Sequence, residues 1–201
     1  MILDNLLRQT EVTFSQAGIG DARIEADVIW MTALSLDRPS LYAELTTNVT
    51  STANNTAQKL IRRRLAGEPS AYLTGFREFY NINLHIQPGV LIPRQETETV
   101  IDEALQILGE TATNTCTKIA DVGCGSGAIS IAIGVNYHRC LIYASDISHT
   151  AMVTTEINSR RHNLEARIRL LHGNLLDILP EPVDMIVANL PYVTSSEIPT
   201  L

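Results

Sequence analysis

The stretch that decides the fold is IADVGCGSGA, residues 119–128, in which an apolar run is followed by three glycines at alternate positions. The apolar run predicts a buried strand, and the apolar residues over 128–135 predict a helix directly after the glycines. Gly123, Gly125 and Gly127 let the backbone turn tightly and approach a ligand without a Cβ in the way. This order of strand, glycine loop and helix N-terminus indicates a ligand-binding loop, although a plain tight turn is an alternative.

Short apolar runs and helical segments alternate on the C-terminal side of this loop. Further strands are predicted over 141–144, 168–171 and 183–188, with a helix over about 148–162. Another helix, over 95–108, precedes the loop. Such alternation is typical of a parallel, doubly wound sheet. The sequence therefore predicts an α/β fold with a Rossmann-type sheet.

The first 75 residues carry a different pattern, with apolar residues at helical spacing and no strand signal. One helix is predicted to end before Gly18, a second to begin at an N-cap on Asp21, and a third to cover about 52–65. We expect a small helical bundle here.

A period-two alternation over 79–86 separates the two patterns and predicts a strand. Pro88 and Gly89 are the predicted turn of a β-hairpin. The predicted domains are a helical domain over 1–75, a hairpin linker over 76–93 and an α/β domain over 94–201.

Composition and charge limit the kinds of function that the chain is expected to have. The chain has 15 Lys and Arg against 22 Asp and Glu, a net charge of −7, so direct binding of nucleic acid is not expected. The three cysteines form no CxxC pair and the five histidines show no ligand spacing, so we expect a reduced, cytoplasmic chain without a metal. No signal peptide or membrane span is expected.

Asp146 closes the next predicted strand, 23 positions after Gly123, where it can accept both hydroxyls of a ribose. Because Gly123, Gly125 and Ala128 also satisfy the dinucleotide pattern GxGxxG/A, NAD or FAD is an alternative ligand. The Asp121 carboxylate favours S-adenosylmethionine, since it would repel a pyrophosphate but could reach an amino-acid ammonium through water.

The fourth predicted strand runs into Asn189-Leu190-Pro191-Tyr192. In a parallel sheet this segment should border the same crevice as the glycine loop. The Asn189 side-chain oxygen and the Leu190 carbonyl can accept the two N–H groups of a planar nitrogen and orient it for methyl transfer. Pro191 restricts Leu190 to extended conformations, and Tyr192 offers a flat face to the target group.

Three stretches together, LIPRQETE (91–98), DVGCGSGA (121–128) and NLPY (189–192), resemble the release-factor glutamine methyltransferases, the PrmC/HemK family. The resemblance covers essentially the whole chain. It implies a class I methyltransferase fold, S-adenosylmethionine as cofactor and a peptide-chain release factor as protein substrate. The implied reaction is N5-methylation of the glutamine in the Gly-Gly-Gln loop, with the helical domain recognising the substrate.

The resemblance also implies roles for particular residues. Asn189 and Tyr192 are the expected catalytic residues, and Leu175 is expected to pack near the adenine. The glutamine is expected to be held by Asn189, Leu190, Pro191 and Tyr192. The expected cofactor-binding set is Asp121, Gly123, Cys124, Gly125, Ser126, Gly127, Asp146, Leu175 and Asn189.

The sequence departs from the family pattern at Gln95 and Leu190, which each replace a proline, and the domain is expected to be truncated after Leu201. We therefore expect the strand over 183–188 to leave an apolar edge that favours aggregation or dimerisation. Two alternative functions remain open, an N6-adenine DNA or RNA methyltransferase and a truncated chain that only binds the cofactor or a partner.

Overall fold

A computed structural model describes residues 1–110 and 115–190 of the chain. The chain folds into two compact units, Met1–Gly75 and Phe76–Leu201. Each unit has a buried core of its own.

The first unit is helical, as predicted. Its second helix does not begin with the expected cap, because Asp21 adopts a left-handed conformation (φ 49°) and its side chain caps no helix N–H. Two short helices escaped prediction, since each is little more than one turn and carries almost no periodicity. The helices are α1 (Leu3–Gln16), α2 (Ala22–Leu34), α3 (Arg38–Ala43), α4 (Ser51–Leu65) and α5 (Ser70–Thr74).

The core of the first unit is built around Trp30, which is fully buried together with Phe14. The indole Nε1 donates to Thr10 Oγ1 over 3.0 Å, so the one polar atom of the Trp30 side chain is satisfied inside the core. Within the described part of the chain, no helix is long and apolar enough to cross a membrane.

The second unit opens with an antiparallel hairpin of β1 (Phe76–Phe79) and β2 (Ile82–His85). The predicted turn at Pro88 and Gly89 is wrong, because the hairpin turns at Tyr80 and Asn81, whose φ values are 51° and 57°. Two successive positive φ values define the type I′ turn that matches strand twist. The predicted alternation does hold, with the apolar face of β2 buried.

A four-stranded parallel sheet follows in the order β5-β4-β3-β6, which confirms the predicted Rossmann-type α/β fold. Helices alternate with the strands up to β5, and in the described stretch between β5 and β6 no helix occurs. The elements are α6 (Thr97–Glu110), β3 (Thr117–Val122), α7 (Ala128–Asn136), β4 (Cys140–Asp146), α8 (His149–Arg161), β5 (Ile168–His172) and β6 (Met185–Ala188).

The strand register brings the predicted site residues to one edge of the sheet. Val122, the last residue of β3, pairs with Ser145 on one side and with Ala188 on the other. The glycine loop, Asp146 and Asn189 therefore leave three adjacent strands at the same level. Among the described residues β6 pairs only with β3, and the consequence expected for its outer edge stays a prediction.

Candidate functional site

A cavity of about 280 Å³ lies at the carboxyl ends of β3, β4 and β6. This is where an open α/β sheet binds its ligands, and the volume is just below the roughly 300–1,000 Å³ typical of such pockets. Its wall is formed by Gly89, Val90, Leu91, Gly123, Gly125, Ser145, Asp146, Ile147, Ser148, Ala151, Gly173, Asn174, Leu175, Asn189 and Leu190.

The glycines of the loop serve two different purposes. All three have positive φ, between 57° and 77°. A Cβ on Gly125 would meet nothing closer than Val90, 4.0 Å away, so this glycine leaves an open cradle in the cavity wall. A Cβ on Gly127 would lie 2.8 Å from Thr155, and one on Gly123 would lie 2.6 Å from Leu190. Those two glycines permit close packing.

Asp146 lies where the sequence predicts it, in the cavity wall at the end of β4. Its Oδ2 accepts from the Gly125 N–H at 2.9 Å and its Oδ1 accepts from the Ser148 N–H at 2.8 Å. Each carboxylate oxygen has a second lone pair, so the group can hold the loop and still accept from a ligand.

Two apolar side chains, Ile147 and Leu175, reach into the cavity wall from successive loops, and they are 71% and 48% exposed. Leu175 has a φ of 45°, and its carbonyl accepts from Ser145 Oγ at 3.3 Å. A strained non-glycine residue at a cavity is a common mark of a functional position. Sequence reasoning missed Ile147, although its place directly after Asp146 at a strand end could have revealed it.

Asp121 is buried, with 1% exposure, and is not among the cavity-lining residues. Its Oδ2 accepts from Ser130, from the backbone N–H at 3.0 Å and from Oγ at 2.5 Å, and it thereby caps the start of α7. Its Oδ1 has no partner among the described residues. Desolvation raises the pKa of this carboxyl to about 6 despite the bonds from Ser130.

The remaining loop residues are packed behind the cavity wall. Cys124 places its Sγ 3.4 Å from Thr155 Oγ1, and burial raises the pKa of its thiol well above the ordinary range. Ser126 is 3% exposed, and its carbonyl accepts from Asn158 Nδ2 at 2.8 Å. Cys124, Ser126 and Gly127 do not line the cavity, so cofactor contact by these three residues stays a prediction.

Asn158, which sequence reasoning missed, joins the glycine loop to the hairpin. Its Oδ1 accepts from the His85 N–H at 2.7 Å, and its Nδ2 donates to the His85 carbonyl at 2.9 Å. The side chain therefore pairs with β2 as a neighbouring strand would. Because Asn158 also bonds Ser126, this one buried amide fixes two elements.

Asn189 lines the cavity from the end of β6, and its Nδ2 donates to Thr97 Oγ1 at 2.9 Å. Leu190 follows it and lies against Gly123. The predicted residues Pro191 and Tyr192 lie outside the described residues.

Two further observations concern charge and metals. In the arginine run over 62–64, Arg63 pairs with Glu68 and Arg64 pairs with Glu25, so two of the three charges are used within the helical unit. In the ranges 1–110 and 115–190, no group of three or more His, Cys, Asp or Glu is placed to hold a metal ion.

A second cavity, of about 570 Å³, opens at the amino ends of the strands and is lined by Cys116, His138, Arg139 and Arg167 among others. It has no glycine loop or helix N-terminus among its described lining residues. The smaller cavity is therefore the better candidate for chemistry, because the convergent loops lie there.

Comparison with known families matches both parts of the chain. Residues 5–75 match the PrmC N-terminal domain, and residues 82–200 match the methyltransferase small domain. The catalytic domain of human METTL16, solved with an RNA hairpin, superimposes with a TM-score of 0.50 at 18% identity, covering 65% of this chain and 46% of that one. That likeness concerns the fold alone.

Curated relatives are more similar in sequence. The release factor glutamine methyltransferase of Moorella thermoacetica is 38% identical over all of this chain and 70% of its own length. The protein of the same name from Rhodopirellula baltica is 34% identical over 96% of this chain and 66% of its own length. The chain thus spans about two thirds of the length of these relatives.

Proposed function

The chain belongs to the release factor glutamine methyltransferase family, and from that premise we propose that it methylates the side-chain amide of a release factor glutamine with S-adenosylmethionine. One observation carries the proposal: Val122 pairs with both Ser145 and Ala188. This register brings Asp146, which we propose binds the ribose hydroxyls, and Asn189, which we propose accepts from the substrate amide, to either side of the glycine loop.

The cavity fits the proposed cofactor. Gly125 leaves an open cradle, Asp146 retains acceptor capacity for a ribose, and Ile147 and Leu175 offer apolar faces to an adenine. Asp121 lies behind the loop, where its Oδ2 accepts from Ser130 at the start of α7, and its contact with the cofactor stays a prediction. When bound, S-adenosylmethionine supplies an electrophilic methyl group carried on a positively charged sulfur.

The acceptor side of the reaction is an amide nitrogen whose lone pair is delocalised, which makes it a poor nucleophile. Asn189 Oδ1 and the Leu190 carbonyl can each accept one of its N–H groups. Together they turn the nitrogen toward the methyl donor and stabilise the positive charge that develops there. The chain's own work is thus orientation and electrostatics, with no side chain acting as a nucleophile.

We further propose that residues 1–75 recognise the release factor and that the protein acts in the cytoplasm, where its substrate is used. The matched PrmC N-terminal domain supports the first point. Arg62, next to Arg63 and Arg64 in α4, makes no ion pair among the described residues and is therefore a candidate contact for the release factor.

A labelled-methyl transfer assay tests the proposal, with release factor, DNA and RNA offered separately. We expect label on the release factor alone, and label on DNA or RNA alone would replace the proposal by the N6-adenine alternative.

Asp146→Ala should weaken S-adenosylmethionine binding about 100-fold, since hydrogen bonds to a charged group are worth roughly 1.5–3 kcal/mol each. Asn189→Ala should leave that affinity within about twofold and lower kcat roughly 100-fold.

A further inference from the structure

We infer that Thr97 is a positioning residue that sets the orientation of the Asn189 amide, an inference that rests on the proposed function because it concerns the same acceptor. The two residues are 92 positions apart in the chain, and Asn189 Nδ2 donates to Thr97 Oγ1 at 2.9 Å. Thr97 is only 6% exposed, so water competes little for this bond.

The Asn189 carboxamide can accept an N–H of the substrate amide in only one of its two orientations. Its oxygen and its NH2 group are nearly the same size, and turning the group over would point donors at the donors of the substrate amide. Because Nδ2 is engaged by Thr97, Oδ1 is the polar side-chain atom that Asn189 has left for the cavity. Across residues 1–110 and 115–190, no protein group donates to that oxygen.

Thr97 itself is held by groups that do not belong to the cavity. It is the first residue of α6, and its N–H donates to the Arg94 carbonyl at 3.0 Å. The next residue, Glu98, accepts from the Tyr80 N–H at 3.1 Å, which ties this turn of α6 to the tip of the hairpin. Tyr80 also donates through its hydroxyl to Asp102 at 2.6 Å. These bonds hold the first turn of α6, and with it the hydroxyl of Thr97, in place independently of the cavity.

Asn189 needs such an anchor because the residue directly after it, Leu190, adds no ring constraint of its own. Position 190 is a leucine, whose φ is not locked by a ring as a proline's would be. The backbone of Asn189 follows β6, which is only four residues long. The hydrogen bond to Thr97 thus sets the orientation of the Asn189 side-chain amide.

The test compares Thr97→Val, which removes the hydroxyl but keeps the β-branched shape, with Thr97→Ser, which keeps the hydroxyl. We expect kcat for release factor to fall roughly 10- to 100-fold in T97V, as misplaced catalytic groups do. Affinity for S-adenosylmethionine should stay within about twofold, and T97S should recover most of kcat. If T97S is as slow as T97V, Thr97 acts through packing and the inference is overturned.

Thr154→Val is the matched control, because Thr154 is a buried threonine of the same unit whose Oγ1 accepts from the Gln87 side-chain amide at 2.7 Å and which does not line the cavity. It should lower the melting temperature without lowering kcat. A fall in kcat as large as that of T97V would overturn the inference. If valine at position 97 prevents folding, Thr97→Ala takes its place in every comparison.

A second readout separates this inference from the proposed function. In a proton–nitrogen NMR spectrum, T97V should shift the Asn189 side-chain NH2 signals and speed their exchange with water, whereas T97S should not. If the wild-type chain transfers no methyl group but the signals change in this way, the proposed function fails and the positioning stands. If the signals do not change in T97V, the inference falls whatever the activity.

Discussion

The two units differ in what they bury. Among the described residues, the helical unit buries two polar or charged side chains and the α/β unit buries nine. In the helical unit the buried threonine, Thr10, satisfies the indole of Trp30 inside an apolar core. In the α/β unit several buried polar groups, such as Asp121, Ser126 and Asn158, surround the glycine loop. The contrast teaches that one unit is built for packing, and that the other accepts polar burial in order to hold a loop in place.

The largest expected effect tests the packed unit. Trp30→Ala should lower the free energy of unfolding by about 4 kcal/mol, because it opens a cavity in a core that is fully buried there. Chemical denaturation followed by circular dichroism measures this. Trp30→Phe, which loses the bond to Thr10 but keeps an aromatic ring, should cost clearly less. A loss below about 1 kcal/mol in W30A would contradict the picture of a core built on packing.

The next effect tests whether polar burial in the α/β unit is costly. Folding raises the pKa of Asp121 from 3.8 to about 6, so the folded protein holds this proton more tightly than the unfolded one. The associated stabilisation is present below pH 3.8 and is lost as the pH rises to about 6. At neutral pH the buried charge then costs about 3 kcal/mol.

Asp121→Asn should therefore raise the free energy of unfolding at pH 7 by up to about 3 kcal/mol, and the gain should vanish below about pH 4. Denaturation curves at about pH 4 and about pH 7 measure the difference. Asp177→Asn, at an exposed position, is the control and should change stability by less than about 0.5 kcal/mol. Destabilisation of D121N at neutral pH would show that the loop needs the charge.

A smaller effect tests the amide that joins the hairpin to the loop. Asn158→Ala removes bonds to His85 and Ser126, and we expect a loss of about 2 kcal/mol with weaker S-adenosylmethionine binding. Calorimetry and denaturation measure the two effects. Asn136→Ala, which removes a single bond to Ala132 on an exposed helix end, should change neither. Unchanged ligand affinity in N158A would mean that polar burial here serves stability alone.

The smallest expected change in stability comes from replacing one glycine in each unit by alanine. Gly125 and Gly67 both have positive φ, 57° and 93°, and neither has an atom that a Cβ would strike. Alanine at either position should cost about 1 kcal/mol, since only the backbone conformation opposes it. Only Gly125→Ala should also weaken S-adenosylmethionine binding. Equal affinities in G125A and G67A would remove Gly125 from the proposed cradle.

The sequence predicted the layout of the α/β unit because its strands are short apolar runs and because β3 and β4 are each followed by a helix. Asp146 and Asn189 were placed correctly, at one sheet edge, for the same reason. The hairpin turn was misplaced because Pro88 and Gly89 are the stronger local turn signal, while Tyr80 and Asn81 turn only through their pairing strands.

Other parts of the site could not be read from the sequence. The bonds of Asn158 to His85 span 73 positions and those of Asn189 to Thr97 span 92, and no local pattern announces either.

The bond between Asn158 and His85 has a consequence for the order in which the chain is made. Protein synthesis at about 5–20 residues per second delivers Asn158 roughly 4 to 15 seconds after His85, which is 73 positions earlier. During that interval the nascent hairpin lacks the partner for the N–H and carbonyl of His85, and two strands alone are marginally stable in water. We therefore expect the hairpin to be stabilised only after α8 has been synthesised, because Asn158 of α8 supplies the partner for the backbone of His85 in β2.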